Sequence, residues 1–322
     1  MHLQRGSFIK LAAVTAAGEV LGTQARVPAA ELPVVKTLSV PTDGTKALLY
    51  ARKINLFAKH GLSVDVGSMS TGAAIYAAVL GGAAQFGSGN LFSVFSAFVR
   101  GVPLRIVAPA TMYVSTNADT ILIVRKDDPI RSARDLNGKT IGVGSVRDSD
   151  DFATRGWVNL NGGDGQSLRA VELPPAQLAA ALEAGRVDAS VVRPPFLTVA
   201  MASGKFRQLG KPFDSIGQRF LLSCWVATTD FIGKNAAVVN DFAATLTEAA
   251  KYVNAHQAET VDLVAGFTGQ DPALIARGVR STMAETITLA DVQQPLDFAY
   301  KNGLIDKTFD VSALLAPSVP LK

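Results

Sequence analysis

Two arginines and three predicted helix starts supply the residues of this sequence that suit the binding of a small anion. Predicted helices open at Ser70–Ala73, at Ser88–Asn90 and at Gly144–Asp148. A helix N-terminus presents free N–H groups and a partial positive charge, and small residues let a ligand approach them. Arg147 and Arg193 add guanidinium groups whose donors match two oxygens of a sulfonate or carboxylate. These residue types indicate oxyanion binding.

Motifs of catalysis and nucleotide binding are not completed in this sequence. Gly138–Thr140 matches the end of a P-loop, but alanine stands at position 133, where that motif needs glycine. Gly142–Gly144 matches the start of a dinucleotide fingerprint, but Arg147 occupies its third glycine position. The one cysteine, Cys224, and three widely separated histidines disfavour a His/Cys metal site. We therefore expect no enzyme activity, no cofactor and no metal.

Strands and helices alternate along most of the chain. Strand Val34–Pro41, for example, precedes helix Ala47–His60, and this spacing predicts βα units with largely parallel sheets. The pattern breaks at Lys126–Pro129 and restarts, and strand Leu221–Thr228 is expected to return to the first block. We therefore predict an α/β protein of two lobes around a cleft, joined by crossing segments near 125–130 and 213–222. Lobe I comprises 31–128 plus 216–322, and lobe II comprises 129–215.

Residues 1–30 have the features of an export signal. A short basic region contains Arg5, an apolar stretch covers Leu11–Gly22, and Ala25 and Ala29 offer small-residue cleavage sites. The apolar stretch is shorter than the roughly 20 residues that span a bilayer. The expected location is periplasmic after cleavage, by the general or the twin-arginine route. The alternative is an amphipathic first helix of a cytosolic protein.

The charge balance excludes one class of partner. The 322 residues carry a net charge of only +4. So small an excess gives no electrostatic reason to expect nucleic acid or an anionic membrane as a partner.

Five stretches together resemble one family. They are Leu49–Val66, Thr71–Gly87, Gly101–Val107, Val124–Val143 and Gly185–Phe196. In order and spacing they resemble the taurine, sulfonate, nitrate and thiamine-pyrimidine binding proteins (the NMT1/THI5-like family), which are extracytoplasmic solute-binding proteins of ABC importers. The resemblance implies a type II periplasmic-binding-protein fold, a monomer, an ABC permease as partner and no catalysis.

The sequence departs from the family pattern at two positions. Gln85 and Pro194 stand where acidic residues are usual, and Arg193 directly precedes the second of them. These changes leave the identity of the ligand open.

In such a fold the ligand lies in the cleft, between strand ends and helix starts. The candidate ligand-binding residues are Thr42, Asp43, Thr71, Gly72, Ala73, Ser88, Gly89, Asn90, Tyr113, Ser145, Arg147, Arg193 and Trp225. Local roles are the alternative. Thr71 and Ser88 could only cap helices, Arg147 could pair with neighbouring aspartates, and Trp225 could belong to the core.

The predicted function is a binding protein that captures a small organic anion, of sulfonate or carboxylate type, and delivers it to an ABC importer. Asp43, if it faces the cleft, would instead favour an amine, as in an amino-sulfonate or a thiamine-pyrimidine precursor. The remaining alternatives are an enzyme of pyrimidine synthesis on the same scaffold and the sensor domain of a regulator.

Overall fold

Two mixed β-sheets organise residues 32–322, which are the residues that this computed structural model describes. The predicted signal peptide, residues 1–30, lies outside them. The strands are β1 (Val34–Ser39), β2 (Ser63–Ser68), β3 (Phe86–Asn90), β4 (Leu104–Val114), β5 (Ile121–Arg125), β6 (Thr140–Val143), β7 (Arg169–Glu172), β8 (Ala189–Val192), β9 (Phe206–Gly210), β10 (Arg219–Thr228) and β11 (Thr282–Met283).

Helices cover both sheets. They are α1 (Lys46–Lys53), α2 (Leu56–Lys59), α3 (Gly72–Leu80), α4 (Leu91–Val99), α5 (Ser149–Leu160), α6 (Leu178–Glu183), α7 (Phe196–Ala202), α8 (Thr229–Lys234), α9 (Ala236–Ala255), α10 (Val261–Thr268), α11 (Pro272–Arg277) and α12 (Leu289–Lys301). Within residues 32–322, no helix combines the length and the hydropathy that a membrane span requires.

Each sheet combines parallel and antiparallel strand pairs. The first sheet has the order β11-β4-β10-β3-β1-β2 and the second has the order β7-β6-β8-β5-β9. Strand β1 runs parallel to β2 and β3, whereas β10 runs antiparallel to β3 and β4. In the second sheet β6 runs parallel to β7 and β8, and β5 runs antiparallel to β8 and β9. The two sheets form the centres of lobe I and lobe II.

The chain crosses between the lobes at 115–120 and at 211–218, where it leaves β4 and β9. The first crossing was predicted too late in the chain, near 125–130. Ile121–Arg125 pairs with β8 and β9, so this strand belongs to lobe II and not to the predicted lobe I range of 31–128. The other predicted lobe bounds stay predictions. The two crossing segments also bond to each other, since the Ser115 amide donates to the Gln218 carbonyl over 2.8 Å.

The predicted helix Ala47–His60 is two helices, α1 and α2. Asn55 separates them with a φ of 55°. A left-handed residue cannot continue a right-handed helix, and asparagine tolerates this conformation better than most residues do. Hydrophobic spacing is continuous across the break, which is why the sequence pattern did not reveal it.

Aromatic side chains join α9 to the first sheet. The Phe242 ring stacks on Phe86 of β3, with centroids 3.9 Å apart, and meets Trp225 of β10 edge-on at 5.7 Å. Phe57 of α2 stacks on the same ring at 5.8 Å. All four side chains are buried. Phe242 therefore connects both helices to the sheet that carries half of the cleft.

We predict that Phe242→Ala lowers the free energy of unfolding by about 3–5 kcal/mol, because the variant loses buried contacts and leaves a cavity. Urea denaturation measures the change. Leu160→Ala is the control, since Leu160 is 72% exposed and its truncation should change stability by no more than about 0.5 kcal/mol. Equal effects of the two substitutions would contradict the assigned core.

Candidate ligand-binding site

A cavity of about 120 Å³ lies between the lobes. Its walls follow the carboxyl ends of parallel strands, β1 to β3 in lobe I and β6 to β8 in lobe II, where open α/β sheets bind ligands. Eight of the predicted site residues line it: Thr42, Thr71, Gly72, Ser88, Gly89, Asn90, Ser145 and Arg193. The structure brings these residues together, and their contact with a ligand stays a prediction.

The lobe I wall is neutral and rich in hydroxyl groups. Helix α3 begins at Gly72, and the Thr71 hydroxyl caps it by accepting the Ala74 amide over 3.3 Å. No acidic residue occurs in the first turn of α3. The Oγ atoms of Ser39 and Ser88 lie 2.7 Å apart beside it. The α3 N-terminus therefore faces the cavity with its partial positive charge uncompensated by a local carboxylate.

Gly72 and Gly89 lie side by side in this wall but differ in the space around them. A Cβ atom on Gly72 would stand 4.0 Å from Gly89 Cα, with no nearer neighbour. A Cβ atom on Gly89, in contrast, would lie 2.2 Å from the Tyr76 hydroxyl oxygen. Gly89 is required by packing, whereas position 72 has space for a side chain directed at the cavity.

Hydrogen bonds between the lobes close the cavity. The Asn90 amide group donates to Ser149 Oγ at the start of α5. The Ser93 hydroxyl of α4 donates to Asp148 Oδ2 over 3.0 Å. A further bond joins the Asp43 amide to the Pro194 carbonyl over 3.2 Å. The start of α4 is thus occupied by lobe II, and α3 offers the open helix N-terminus of lobe I.

The lobe II wall is acidic. Arg193 forms an ion pair with Asp150, whose other oxygen accepts the Gly144 amide over 3.2 Å. Asp148 caps α5 by accepting the Ser149 amide over 2.7 Å. Asp119, from the first crossing segment, also lines the cavity. The sequence analysis had predicted Arg193 as an anion clamp, but its guanidinium is already engaged by a carboxylate.

Burial shifts the protonation of these groups. It raises the pKa of Asp148 to about 7, with repulsion from Asp150 adding to the effect. Burial likewise raises the pKa of Asp119 above its usual value. Burial alone would lower the pKa of Arg193. The nearby carboxylates of Asp150, Asp119 and Asp148 outweigh this effect and raise the pKa. Arg193 stays charged, while Asp148 exchanges its proton near neutral pH.

Asp43 lies behind the cavity wall and not in it. Its carboxylate has no exposed surface and binds Lys46 Nζ over 2.9 Å and Arg280 Nε over 2.7 Å. The amide of Ser281, a cavity-lining residue, donates to the same carboxylate over 2.7 Å. Burial alone would raise the pKa of Asp43, but the two cations outweigh it and lower the pKa. Asp43 positions the wall instead of facing a ligand.

Tyr113 and Trp225 are core residues, which corrects their prediction as ligand contacts. Tyr113 is fully buried, and its hydroxyl donates to Asp214 Oδ1 in the second crossing segment over 2.8 Å. Trp225 is packed against Phe242 in the core of lobe I.

Ala73 and Arg147 are not brought to the cavity either. Both line a separate surface groove. Arg147 has a φ of 59°, and its guanidinium lies over the Phe152 ring, 5.9 Å from the centroid. The turn before α5 therefore places this side chain outside the cavity.

The acidic residues of the site were not predicted from the sequence. The aspartates that follow Arg147 were considered only as its pairing partners, and Asp119 was not noticed. Asp148 could have been predicted from the sequence. It is an acidic N-cap that follows strand Thr140–Val143, and the helix starts after such strands lie at the cleft. Asp119 had no such signal, since its position depends on where the chain crosses between lobes.

Comparisons with known proteins agree with this geometry. A family model described as NMT1/THI5 like matches residues 45–260. An Escherichia coli (strain K12) protein named "Putative aliphatic sulfonates-binding protein" is 25% identical over 201 residues, which cover 59% of this chain and 60% of that protein. The match thus spans less than two thirds of that relative.

Solved structures share the fold. The alkanesulfonate-binding protein SsuA from Xanthomonas axonopodis pv. citri, bound to MOPS, has a TM-score of 0.73 at 19% identity, covering 91% of this chain and 100% of that one. The desulfurization enzyme DSZB has a TM-score of 0.63 at 16% identity, covering 88% and 96%. The fold is the type II periplasmic-binding-protein fold, as predicted. It is shared by binding proteins and by an enzyme.

We predict that Asp148 makes stability fall as pH rises. Its pKa of about 7 in the folded protein exceeds the usual value of 3.8, so between these values the folded state binds more protons than the unfolded state. The free energy of unfolding of the wild type, relative to Asp148→Asn, should decline by up to about 4 kcal/mol from pH 4 to pH 7. Urea denaturation at a series of pH values measures this.

The exposed Asp127→Asn is the matched control, and it should change the free energy of unfolding by no more than about 0.5 kcal/mol. A pH-independent difference between the wild type and Asp148→Asn would disprove the raised pKa.

Proposed function

This chain belongs to the NMT1/THI5-like family, and on that basis we propose that it captures a small solute carrying an oxyanion, of sulfonate or carboxylate type, and delivers it to an ABC importer. The observation that supports this proposal most is the open N-terminus of α3, which lies in a cavity that both lobes enclose. Helix N-termini favour anions through free N–H groups and the helix dipole. The names of the sulfonate-binding relatives support the same class of solute.

Capture and release would use the two crossing segments as a hinge. The lobes touch through side chains of Asn90, Ser93, Asp148 and Ser149 at the cavity, so opening has to break these bonds while the crossing segments stay intact. Such hinge closure around a solute is a common mode of domain motion. We further propose export to the periplasm, where a binding protein can meet an importer.

The alternatives receive less support. Of the residues described, none with an aromatic side chain lines the cavity, so a pyrimidine ring would lack a stacking partner there. The same lining, within 32–322, includes neither cysteine nor histidine. Likeness to DSZB extends to the fold alone. We therefore expect binding without turnover.

We predict that Gly72→Asp weakens oxyanion binding. The position has room for the side chain, and the new carboxylate would occupy the first turn of α3, where it repels the solute. A loss of at least about tenfold in affinity is expected, the scale of one charged hydrogen bond. Isothermal titration with ethanesulfonate and propionate measures it.

Gly72→Asn is the matched control, because it has nearly the same shape without the charge and should retain most of the affinity. Thermal melts should show both variants folded, since negative charge is tolerated at a helix N-terminus. Undiminished binding by Gly72→Asp would place the anion elsewhere.

A further inference from the structure

Gly278 lacks a side chain at a place where the backbone does not require glycine. It follows α11 in lobe I, and its φ of −86° and ψ of 167° are extended angles that any residue adopts. A Cβ atom on Gly278, however, would lie 2.7 Å from Cγ2 and 2.8 Å from Cβ of Thr198, and closer still to its Oγ1. Glycine at this position is therefore explained by the space around it and not by its conformation.

Thr198 belongs to the other lobe. It lies in α7, between β8 and β9 of the lobe II sheet, whereas Gly278 lies between α11 and β11 of lobe I. Atoms at van der Waals packing do not approach as closely as the added Cβ would. Rotation of the Thr198 side chain does not relieve the overlap, because its own Cβ is already too near. The two lobes therefore meet here only if position 278 carries no side chain.

This contact adjoins both the first crossing segment and the cavity. Asn117, in that segment, donates through its side-chain amide to the Arg280 carbonyl over 3.3 Å, two residues after Gly278. The next residue, Ser281, lines the cavity. On the side of lobe II, Arg193 lines the cavity and shortly precedes α7. A displacement of the lobes at Gly278 therefore moves one cavity wall relative to the other.

A side chain at position 278 can be accommodated by movement in one direction. Hydrogen bonds from Asn90 and Ser93 to the start of α5 already hold the lobes in contact at the cavity, so the lobes cannot approach each other further. They can separate, because the chain connects them only through the two crossing segments. A side chain inserted against Thr198 therefore favours the open arrangement.

We propose that Gly278 is a positioning residue for solute capture, and that the cleft closes only when Thr198 of lobe II docks against it. The inference rests on the proposed function, in which closure around a solute completes the site. Gly278 is not part of the cavity lining, so it acts on binding through the arrangement of the lobes. A protein whose lobes close less often binds its solute more weakly, in proportion to the lost closed fraction.

Spin-label distances between the lobes test this directly. The labels are attached to the variant Leu80→Cys/Val171→Cys, with one position in each lobe. These side chains are 43% and 39% exposed, and the one native cysteine, Cys224, is fully buried. Measured with and without ethanesulfonate or propionate, Gly278→Ala should shift the distances to longer values than in the wild type. Gly266→Ala is the matched control, because its added Cβ has no neighbour within 4 Å and should leave the distances unchanged.

Removal of the opposing side chain should reverse the effect. Thr198→Gly takes away all three atoms that the new Cβ would meet, so Gly278→Ala/Thr198→Gly should recover the wild-type distances, and Thr198→Gly alone should retain them. In isothermal titration, Gly278→Ala should weaken the binding of ethanesulfonate or propionate at least about tenfold. The double variant should recover most of the affinity. Thermal melts verify that all variants are folded.

The outcomes separate this inference from the proposed function. Unchanged distances in Gly278→Ala would overturn the inference, and a loss of stability in urea that Gly266→Ala does not share would then assign Gly278 a local packing role. Longer distances that Thr198→Gly fails to reverse would also overturn it. If neither solute binds to the wild type, the proposed oxyanion binding fails, while the distances in the solute-free protein still decide the role of Gly278.

Discussion

The carboxylate of Asp43 holds together the start of α1 and the segment before β11, and it has no exposed surface. It binds Lys46 at the start of α1, and it binds Arg280 and the Ser281 amide just before β11. Breaking one partner of a buried ion pair leaves a charge without compensation, which costs about 3–5 kcal/mol. The Asp43 amide also bonds to Pro194, next to Arg193 in lobe II. The constraint that buried charges must be paired thus joins the β1–α1 turn to the segment before β11, and the Asp43 amide joins both to the cleft.

The two walls of the cleft differ in charge, and the difference comes from the residues that cap their helices. In both lobes a helix begins where a parallel strand ends, and the capping residue sets the local charge. Thr71 caps α3 with a neutral hydroxyl, whereas Asp148 caps α5 with a carboxylate. Both residue types are favourable helix caps. Either residue type can cap the helix, but the choice between them sets the charge of the cavity wall and so the kind of solute that the cavity can bind.

The alternation of strands and helices was sufficient to predict the α/β class and both lobes, because periodicity and glycine-capped helix ends are local properties. It failed at Asn55, where one residue in a left-handed conformation divides a continuous apolar pattern. It also placed Ile121–Arg125 in the wrong lobe, because strand pairing depends on distant partners. The helix starts that line the cavity were predicted from local sequence, and their contact with a ligand stays a prediction. Asp43, Tyr113 and Trp225 were misassigned because burial and buried partners cannot be deduced from residue type.

Strand β10 lies between β3 and β4 in the sheet of lobe I, yet it follows the whole of lobe II along the chain. During synthesis β3 and β4 therefore lack their common neighbour until residues 219–228 have emerged, and their facing edges carry unpaired N–H and C=O groups. Lobe II has its five strands within one continuous stretch, 121–210, and can close first. Pairing across such a long loop is slow. The growing chain thus presents an unfinished sheet, which a chaperone would meet before folding is complete.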